Sequence, residues 1–182
     1  MLHLVRGKPG SGKTTLVLQV CRDLADKGIR TAGFVTEEIR RGGKRWGFLV
    51  RDLRGGSAVM ARRGMRSPVR VGSYGVDLEA FEEIALRSIC PEQEPDLFVV
   101  DEIGKMELSS PSFVSALEKV ISGRIPLLAT VPAYGLPFVD LLLSREDARV
   151  YEISPSNREA MKEVVLEAVL FDLRRSDEAL GP

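Results

Sequence analysis

The stretch RGKPGSGKTT, residues 6–15, decides the fold of this chain. It follows the short apolar run MLHLV and fits the spacing G-x-x-x-x-G-K-[ST] at Gly7, Gly12, Lys13 and Thr14. Glycines let consecutive backbone N–H groups wrap a phosphate, and the helix that follows presents its positive end to the same anion. In such a loop the lysine reaches the β- and γ-phosphates and the hydroxyl binds Mg²⁺. The stretch therefore predicts a bound nucleoside triphosphate.

A second signal is LFVVDE, residues 97–102, in which an apolar strand ends in two carboxylates. Ligands bind at the carboxyl edge of the strands in open α/β sheets. We expect Asp101 to hold Mg²⁺ there and Glu102 to orient an attacking water, although Glu102 can also be read as an ordinary solvated charge. Thr130 ends the strand PLLAT. Its hydroxyl either senses the γ-phosphate or the attacking water, or Thr130 is simply a β-branched strand residue.

The remaining pattern predicts one α/β domain over residues 1–172 and a frayed tail over residues 173–182. Strands between residues 31 and 62 are separated by glycine pairs and read as an antiparallel meander, and residues 62–75 read as a flexible loop. Later strands are continuously apolar and alternate with helices, as in parallel sheets covered on both faces. The fold class is thus α/β, a three-layer P-loop NTPase fold with a mostly parallel sheet and an antiparallel hairpin or meander insertion. We expect an additional strand between the loop strand and the Asp101 strand.

Composition argues against several classes of protein. Lys plus Arg and Asp plus Glu each number 26, so the formal net charge is zero. Nucleic acid is therefore an unexpected partner, although RRGGKR at residues 40–45 is a candidate for a local basic patch. The two cysteines, Cys21 and Cys90, read as reduced, mostly buried thiols of a cytoplasmic protein. His3 lies in an apolar run, which favours a structural role. We see no signal peptide or membrane span.

Three segments carry a resemblance to a known family: DEIGKMEL (101–108), GFVTEEIRRGGKRWGF (33–48) and SPSNRE (154–159). The chain resembles the thermostable P-loop nucleoside-triphosphatases, a family with archaeal and bacterial members and a vertebrate relative known as cancer-related nucleoside-triphosphatase. The resemblance covers about residues 2–170. It implies Mg²⁺-dependent hydrolysis of ATP, GTP and other nucleoside triphosphates to the diphosphate and phosphate, with broad base tolerance.

The resemblance also implies roles for particular residues. It implies that Glu102, Lys13 and Lys105 are the catalytic residues and that Thr14 and Asp101 are the Mg²⁺ ligands. Asn157 matches the family's Asn-Arg pair together with Arg158. Departures from the family pattern are Trp46 and the poorly matching residues 62–75. The nucleotide-binding residues are Gly7, Lys8, Pro9, Gly10, Ser11, Gly12, Lys13, Thr14, Thr15, Asp101, Glu102, Gly104, Lys105 and Arg158.

Two other functions stay open from the residues. A nucleotide or small-molecule kinase uses the same loop and needs an acceptor pocket, for which the hairpin and residues 62–70 are candidates. A nucleotide-switched binding module is the third hypothesis, with protein partners open. The cation that stabilises the transition state is Lys105, Arg158 or Arg41, in that order of preference. The preferred base cannot be read, because a phosphate loop does not contact it.

Overall fold

The computed structural model of the chain describes residues 1–179, and nine strands within them form one mixed sheet. The strands are β1 (Leu2–Gly7), β2 (Thr31–Arg41), β3 (Lys44–Asp52), β4 (Ser57–Arg63), β5 (Arg70–Val71), β6 (Tyr74–Val76), β7 (Leu97–Asp101), β8 (Leu127–Pro132) and β9 (Ala148–Glu152). The helices are α1 (Lys13–Ala25), α2 (Leu78–Ile89), α3 (Pro111–Ser122), α4 (Pro137–Leu143) and α5 (Arg158–Ala179), with a short 3₁₀ helix at Glu107–Ser109. Across the sheet the strand order is β5-β6-β4-β3-β2-β7-β8-β1-β9.

The parallel half of the sheet brings the two sequence signals to the same edge. Strands β2, β7, β8, β1 and β9 are parallel, and β8 lies between β1 and β7. The predicted additional strand between the loop strand and the Asp101 strand is therefore confirmed. Gly7 at the end of β1 aligns with Pro132 of β8, and Val35 of β2 aligns with Asp101. The phosphate loop and the acidic strand end thus share the carboxyl edge, where such sheets bind ligands.

The predicted meander is confirmed, and it is longer than expected. Strands β2, β3, β4, β6 and β5 pair antiparallel in that spatial order, with a turn at Gly42 and Gly43 between β2 and β3. The prediction of a loop over residues 62–75 was correct for residues 64–69 and 72–73 and wrong for the rest, because this segment also includes the end of β4, all of β5 and the start of β6. Its residues lack apolar alternation, and order comes from contacts such as the Ser67 hydroxyl donating to Val76 C=O at 2.5 Å.

Helices cover both faces of the sheet and give the three layers that the sequence predicts. On one face α2 and α3 pack on the sheet through Phe34, Phe81 and Phe113, whose rings meet edge to face with centroids 5.2–5.8 Å apart. On the other face α1 and α5 bury a second apolar cluster that includes Val20 and Val165. Aromatic pairs in this geometry each add about 1 kcal/mol beyond the area that they bury.

Helix starts follow the local sequence. The Asp77 carboxylate accepts the Ala80 N–H at 3.1 Å and begins α2, as its position before an apolar helical stripe predicts. The Ser110 hydroxyl accepts the Phe113 N–H at 3.0 Å, with proline at the first helical position of α3. These caps fix where the helices leave the sheet, and therefore fix the loops along its carboxyl edge.

The C-terminal segment differs from the expected frayed tail over residues 173–182. Helix α5 continues to Ala179, and Leu173 is buried in the cluster with α1 because its helical position faces the sheet. Residues 180–182 of that predicted tail lie outside the described residues. The limits of a single domain at residues 1–172 stay a prediction. No helix of the described chain has the length and apolar character needed to cross a membrane.

The sequence also makes predictions for His3 and for the two cysteines. His3 is fully buried, with Nδ1 2.9 Å from the Tyr151 hydroxyl and Nε2 3.2 Å from the Asp172 carboxylate. These contacts agree with the structural role expected of it. Both cysteines are free, but only Cys21 is buried; Cys90 is exposed just after α2, contrary to the expectation of mostly buried thiols. Its place at the end of the helix puts it outside the apolar stripe that faces the core.

Candidate active site

The loop between β1 and α1 is closed by its own main chain. The Ser11 N–H donates to Lys8 C=O at 3.1 Å, and Gly12 takes a left-handed conformation (φ 94°) just before the helix. The Lys13 ammonium is buried and donates to Gly7 C=O at 3.0 Å. Among the described residues no side chain caps the start of α1, so its first N–H groups have no side-chain acceptor. An uncapped helix start beside a buried lysine is a site for phosphate.

Most of the predicted nucleotide-binding residues are neighbours in this loop and in the first turn of α1. They divide into exposed and buried members, because the chain turns over the sheet edge and then enters the core. The exposed members are Lys8, Pro9, Gly10 and Thr15; Gly7, Ser11 and Lys13 are buried; Gly12 and Thr14 are half-buried.

Asp101, at the end of β7, is the most enclosed carboxylate of the site. It is 1% exposed, and its Oδ1 accepts the Thr130 hydroxyl from β8 at 2.6 Å. The Thr14 hydroxyl is close enough to lower the pKa of this carboxyl, and the Thr36 N–H lies 3.4 Å from Oδ2. Burial raises the pKa of Asp101, and these hydrogen bonds oppose the shift. Thr130 is a buried residue of β8, as its interpretation as a β-branched strand residue expects, and its hydroxyl donates to Asp101; contact with the γ-phosphate or the water stays a prediction.

The donor set at Asp101 fits Mg²⁺. A carboxylate oxygen and the Thr14 hydroxyl lie together, and oxygen donors are what this hard cation prefers. In the described part of the chain no group of three or more His, Cys, Asp or Glu side chains could hold a metal. Mg²⁺ in phosphoryl-transfer sites is commonly bound by one or two protein groups together with substrate phosphates. The pair Thr14 and Asp101 is sufficient for that mode of binding.

Glu102 follows Asp101 and reaches the phosphate loop. Its Oε2 lies 3.9 Å from Lys13 Nζ, and 31% of its side chain is exposed. Burial raises the pKa of Glu102, while the Lys13 charge lowers it. The carboxylate is therefore next to the lysine that the sequence predicts to reach the terminal phosphates, and it is accessible to water.

Glu107 is a site residue that the sequence analysis missed. It lies in the 3₁₀ helix, is 6% exposed, and accepts the Gly104 N–H through Oε2 at 3.2 Å. Burial is the main cause that raises the pKa of this carboxyl from 4.5 to about 8, with repulsion from Glu102 and Asp101 adding to it. The segment DEIGKMEL contains Glu107, but nothing in that pattern tells a buried carboxyl from an exposed one.

A cavity of about 180 Å³ opens beside Glu102. Lys105 stands at its rim, with Nζ 5.3 Å from the centre of the Tyr134 ring, which is 44% exposed. The walls join the phosphate loop, the 101–107 segment and the β2–β3 hairpin; they include Pro9, Glu38, Phe48, Glu102, Lys105 and Tyr134. The cavity is thus continuous with the place where the γ-phosphate is expected.

Arg158 approaches the loop at Gly12. A Cβ added at Gly12 would lie 2.6 Å from Arg158 Cδ, so the two residues are in direct contact. Asn157 has a different role: its Oδ1 accepts the Ser154 N–H at 2.7 Å and its Nδ2 donates to Glu152 C=O at 3.1 Å, which shapes the turn before α5. The predicted Asn-Arg pair therefore divides into a residue that shapes the turn and a residue that contacts the loop.

Arg41, the third candidate cation, is not brought to the loop. Its guanidinium carbon lies 3.7 Å from the centre of the Trp46 ring, at the far end of the β2–β3 hairpin. Trp46 was noted as a departure from the family pattern, and this contact gives it a local partner.

Comparison with known proteins agrees with this geometry. A family model described as NTPase matches residues 3–166. The nucleoside-triphosphatase THEP1 of Thermotoga maritima is 41% identical over 173 residues, covering 94% of this chain and 97% of that protein. The human cancer-related nucleoside-triphosphatase is 39% identical over 169 residues, covering 84% and 87%. The crystal structure of THEP1 from the hyperthermophile Aquifex aeolicus superposes with a TM-score of 0.82 at 32% identity, covering 93% and 99%. The phosphate loop, the acidic strand end and these matches together show that the chain belongs to this nucleoside-triphosphatase family.

Proposed function

We propose that the protein hydrolyses nucleoside triphosphates to the diphosphate and inorganic phosphate, with Glu102 as the general base. The observation that carries this proposal is the contact of Glu102 Oε2 with Lys13 Nζ at 3.9 Å. It places a partly exposed carboxylate beside the ammonium that binds the terminal phosphates. A base in this position can take a proton from water aligned with the γ-phosphorus.

In the proposed reaction the water oxygen forms a bond to the γ-phosphorus while the bond to the β–γ bridging oxygen breaks. Glu102 accepts the proton of the water, and the diphosphate carries away the bonding electrons. A raised pKa brings the carboxylate closer to the working pH, where general-base catalysis typically contributes about 10²–10⁴-fold. Lys13 faces the charge that develops on the phosphoryl oxygens, and its bond to Gly7 C=O fixes it before substrate binds.

Thr14 and Asp101 would hold Mg²⁺, which neutralises phosphate charge when bound. The Thr130 hydroxyl keeps the Asp101 carboxylate turned toward Thr14. Lys105 lines the same cavity as Glu102, so we assign it to the reacting γ-phosphoryl group. Arg158 contacts Gly12 at the start of α1, so we assign it to the phosphates nearer the nucleoside.

The proposal also includes a broad range of nucleoside triphosphate substrates and a cytoplasmic location. The loop binds the triphosphate, which every nucleoside triphosphate shares, so we expect ATP, GTP and the others to be hydrolysed. Both cysteines are free, which suits the reducing cytoplasm.

The test measures phosphate release from four nucleoside triphosphates with Mg²⁺ and no acceptor. Glu102→Gln should lower kcat by about 10²-fold or more while nucleotide binding is retained. Lys13→Ala should abolish binding. The matched control is Glu118→Gln on the exposed side of α3, with unchanged turnover expected. Unchanged turnover in Glu102→Gln would remove Glu102 from this role, and retained binding in Lys13→Ala would overturn the whole assignment.

A second candidate is phosphoryl transfer to an acceptor hydroxyl, favoured by the 180 Å³ cavity that lies beside Glu102 and is walled by the hairpin. In that reaction the acceptor oxygen replaces water as the nucleophile. Phosphate released without any acceptor supports hydrolysis. Phosphate that appears only on an added alcohol supports transfer. A turnover that depends on a protein or nucleic-acid partner would instead favour the switch hypothesis.

A further inference from the structure

The charge of this chain is divided very unevenly along its length. Residues 40–70 contain ten Lys and Arg residues and a single acidic residue, Asp52. The rest of the chain keeps 16 of the 26 basic residues and 25 of the 26 acidic ones. The net charge of zero therefore conceals a strongly basic segment within an acidic remainder. A clustered basic surface attracts polyanions whatever the net charge of the protein is.

The fold gathers these cations at one end of the antiparallel meander. Arg41 pairs with Lys44 across the β2–β3 turn, Arg62 of β4 aligns with Gly47 of β3, and Arg70 of β5 aligns with Gly75 of β6. With strands spaced about 4.8 Å apart, the five strands from β2 to β5 spread these cations over roughly 19 Å. The resulting surface, called the basic tip below, comprises Arg41, Lys44, Arg62, Arg63 and Arg70 together with Arg66, which lies in the connection between β4 and β5.

The cations of the basic tip differ from most others in lacking acidic partners. No carboxylate of the described residues lies within 4.0 Å of any of the six. Many arginines elsewhere are paired, as Arg30 is with Asp96 at 3.0 Å and Arg149 is with Asp172 at 3.1 Å. Crowded like charges repel one another and work against the compact state, and a bound polyanion would relieve that repulsion.

Aromatic rings lie among the same cations. Arg41 and Arg62 approach the Trp46 ring, with guanidinium carbons 3.7 and 5.7 Å from its centre, and Arg63 lies 5.5 Å from the centre of the Tyr74 ring. Single-stranded nucleic acids bind where cations follow the backbone and aromatic or guanidinium planes stack on bases. A membrane surface is a poorer match, because the large exposed apolar side chains of the described chain, such as Leu141 and Phe171, lie elsewhere.

We propose that the basic tip binds a single-stranded polynucleotide. Its phosphates contact the six unpaired cations, and its bases stack on the rings and guanidinium planes between them. The proposal does not depend on hydrolysis, since none of the six cations has been placed in the catalytic machinery or along the cavity wall.

The test is binding of a 20-nucleotide oligo(U), and of oligo(dT) of equal length, measured over a range of salt. The slope of log K against log salt is about −0.7 for each phosphate contact of a single strand, so contacts with all six cations should give the wild type a slope of about −4. Lys44→Gln with Arg66→Gln removes two contacts and should reduce the slope by about 1.4 and weaken binding about tenfold at low salt. The matched control, Lys119→Gln with Arg124→Gln, removes two exposed cations on and just after α3, near the amino-terminal ends of β7 and β8, and should leave the slope unchanged.

Trp46 gives an independent readout, because it is the only tryptophan of the chain. Oligo(U) should quench its fluorescence, and a 20-residue polyglutamate, which has charge but no bases, should not. Equal binding of polyglutamate would overturn the proposal in favour of an acidic protein segment. A wild-type slope near zero, or equal effects of the two double variants, would also overturn it. One further result would overturn the proposal: the wild type binds no oligonucleotide, and Lys44→Gln with Arg66→Gln lowers kcat/KM for MgATP. The basic tip would then only steer substrate.

Discussion

Replacing Glu107 by glutamine should remove a loss of stability that the wild type suffers as the pH rises toward 8. The carboxyl is 6% exposed, and burial raises its pKa from 4.5 to about 8. Because the folded-state pKa lies above the unfolded value, the folded protein binds more protons between the two values. Stability is therefore greatest below the unfolded pKa and falls as the pH rises toward 8.

The size of the loss follows from the two pKa values. Between about pH 6 and pH 8 the unfolded carboxyl is ionised throughout, while the folded one passes from protonated to half-ionised. At 1.36 kcal/mol per pKa unit, this interval lowers the free energy of unfolding by about 2 kcal/mol. Glutamine retains an oxygen for the Gly104 N–H and carries no charge, so the Glu107→Gln variant lacks this loss.

The assay is urea unfolding of both proteins at about pH 6 and pH 8. The difference in unfolding free energy between variant and wild type should shift by about 2 kcal/mol in favour of the variant at the higher pH. Glu118→Gln, an exposed substitution on α3, controls for the loss of one negative charge. A difference that stays constant with pH would mean that Glu107 is ionised at both values, and would refute the reasoning.

Two further predictions concern the loop and its support. Thr130→Val removes the 2.6 Å hydrogen bond to Asp101 and should lower the free energy of unfolding in urea by about 1.5–3 kcal/mol. Thr130→Ser retains the hydroxyl and should lower it much less. Equal losses would mean that this bond is not what stabilises the site. Gly12→Ala should weaken MgATP binding in calorimetry more than Gly10→Ala, because both positions have positive φ but only Gly12 faces another side chain, Arg158 Cδ at 2.6 Å. With Arg158→Ala as the common background, which accounts for the phosphate contact assigned to Arg158, Gly12→Ala should weaken MgATP binding no more than Gly10→Ala does; a larger effect there would show that contact with Arg158 is not the cause.

The sequence was most informative where function depends on short spacing along the chain. Gly7, Lys13 and Thr14 are close in sequence, and their arrangement follows from one strand, one turn and one helix. The position of Asp101 beside them was also predictable, because parallel strands end at a common edge. The extra strand between β1 and β7 was inferred correctly from the same pattern.

Contacts between distant segments were not predictable. Thr130 could be read as a phosphate sensor because nothing in the sequence shows that its hydroxyl meets Asp101 on the neighbouring strand. The strands within residues 62–75 are held by main-chain pairing among β4, β5 and β6. Such pairing does not require apolar side chains to alternate, so the sequence shows no strand pattern there. The basic tip was visible only as RRGGKR, because its other cations come from strands that the fold brings beside it.

The site holds three carboxyls around one buried ammonium, and this balance limits how many of them can be ionised together. Asp101, Glu102 and Glu107 fall within one eight-residue motif, and repulsion from the first two adds to the burial that raises the pKa of the third. A bound triphosphate brings more negative charge, which should raise that pKa further. Protonated Glu107 can still accept the Gly104 N–H, so it holds the segment between Glu102 and Lys105 without adding charge beside the phosphates. Raising the pKa of Glu107 is therefore what allows a carboxyl to shape an anion-binding site.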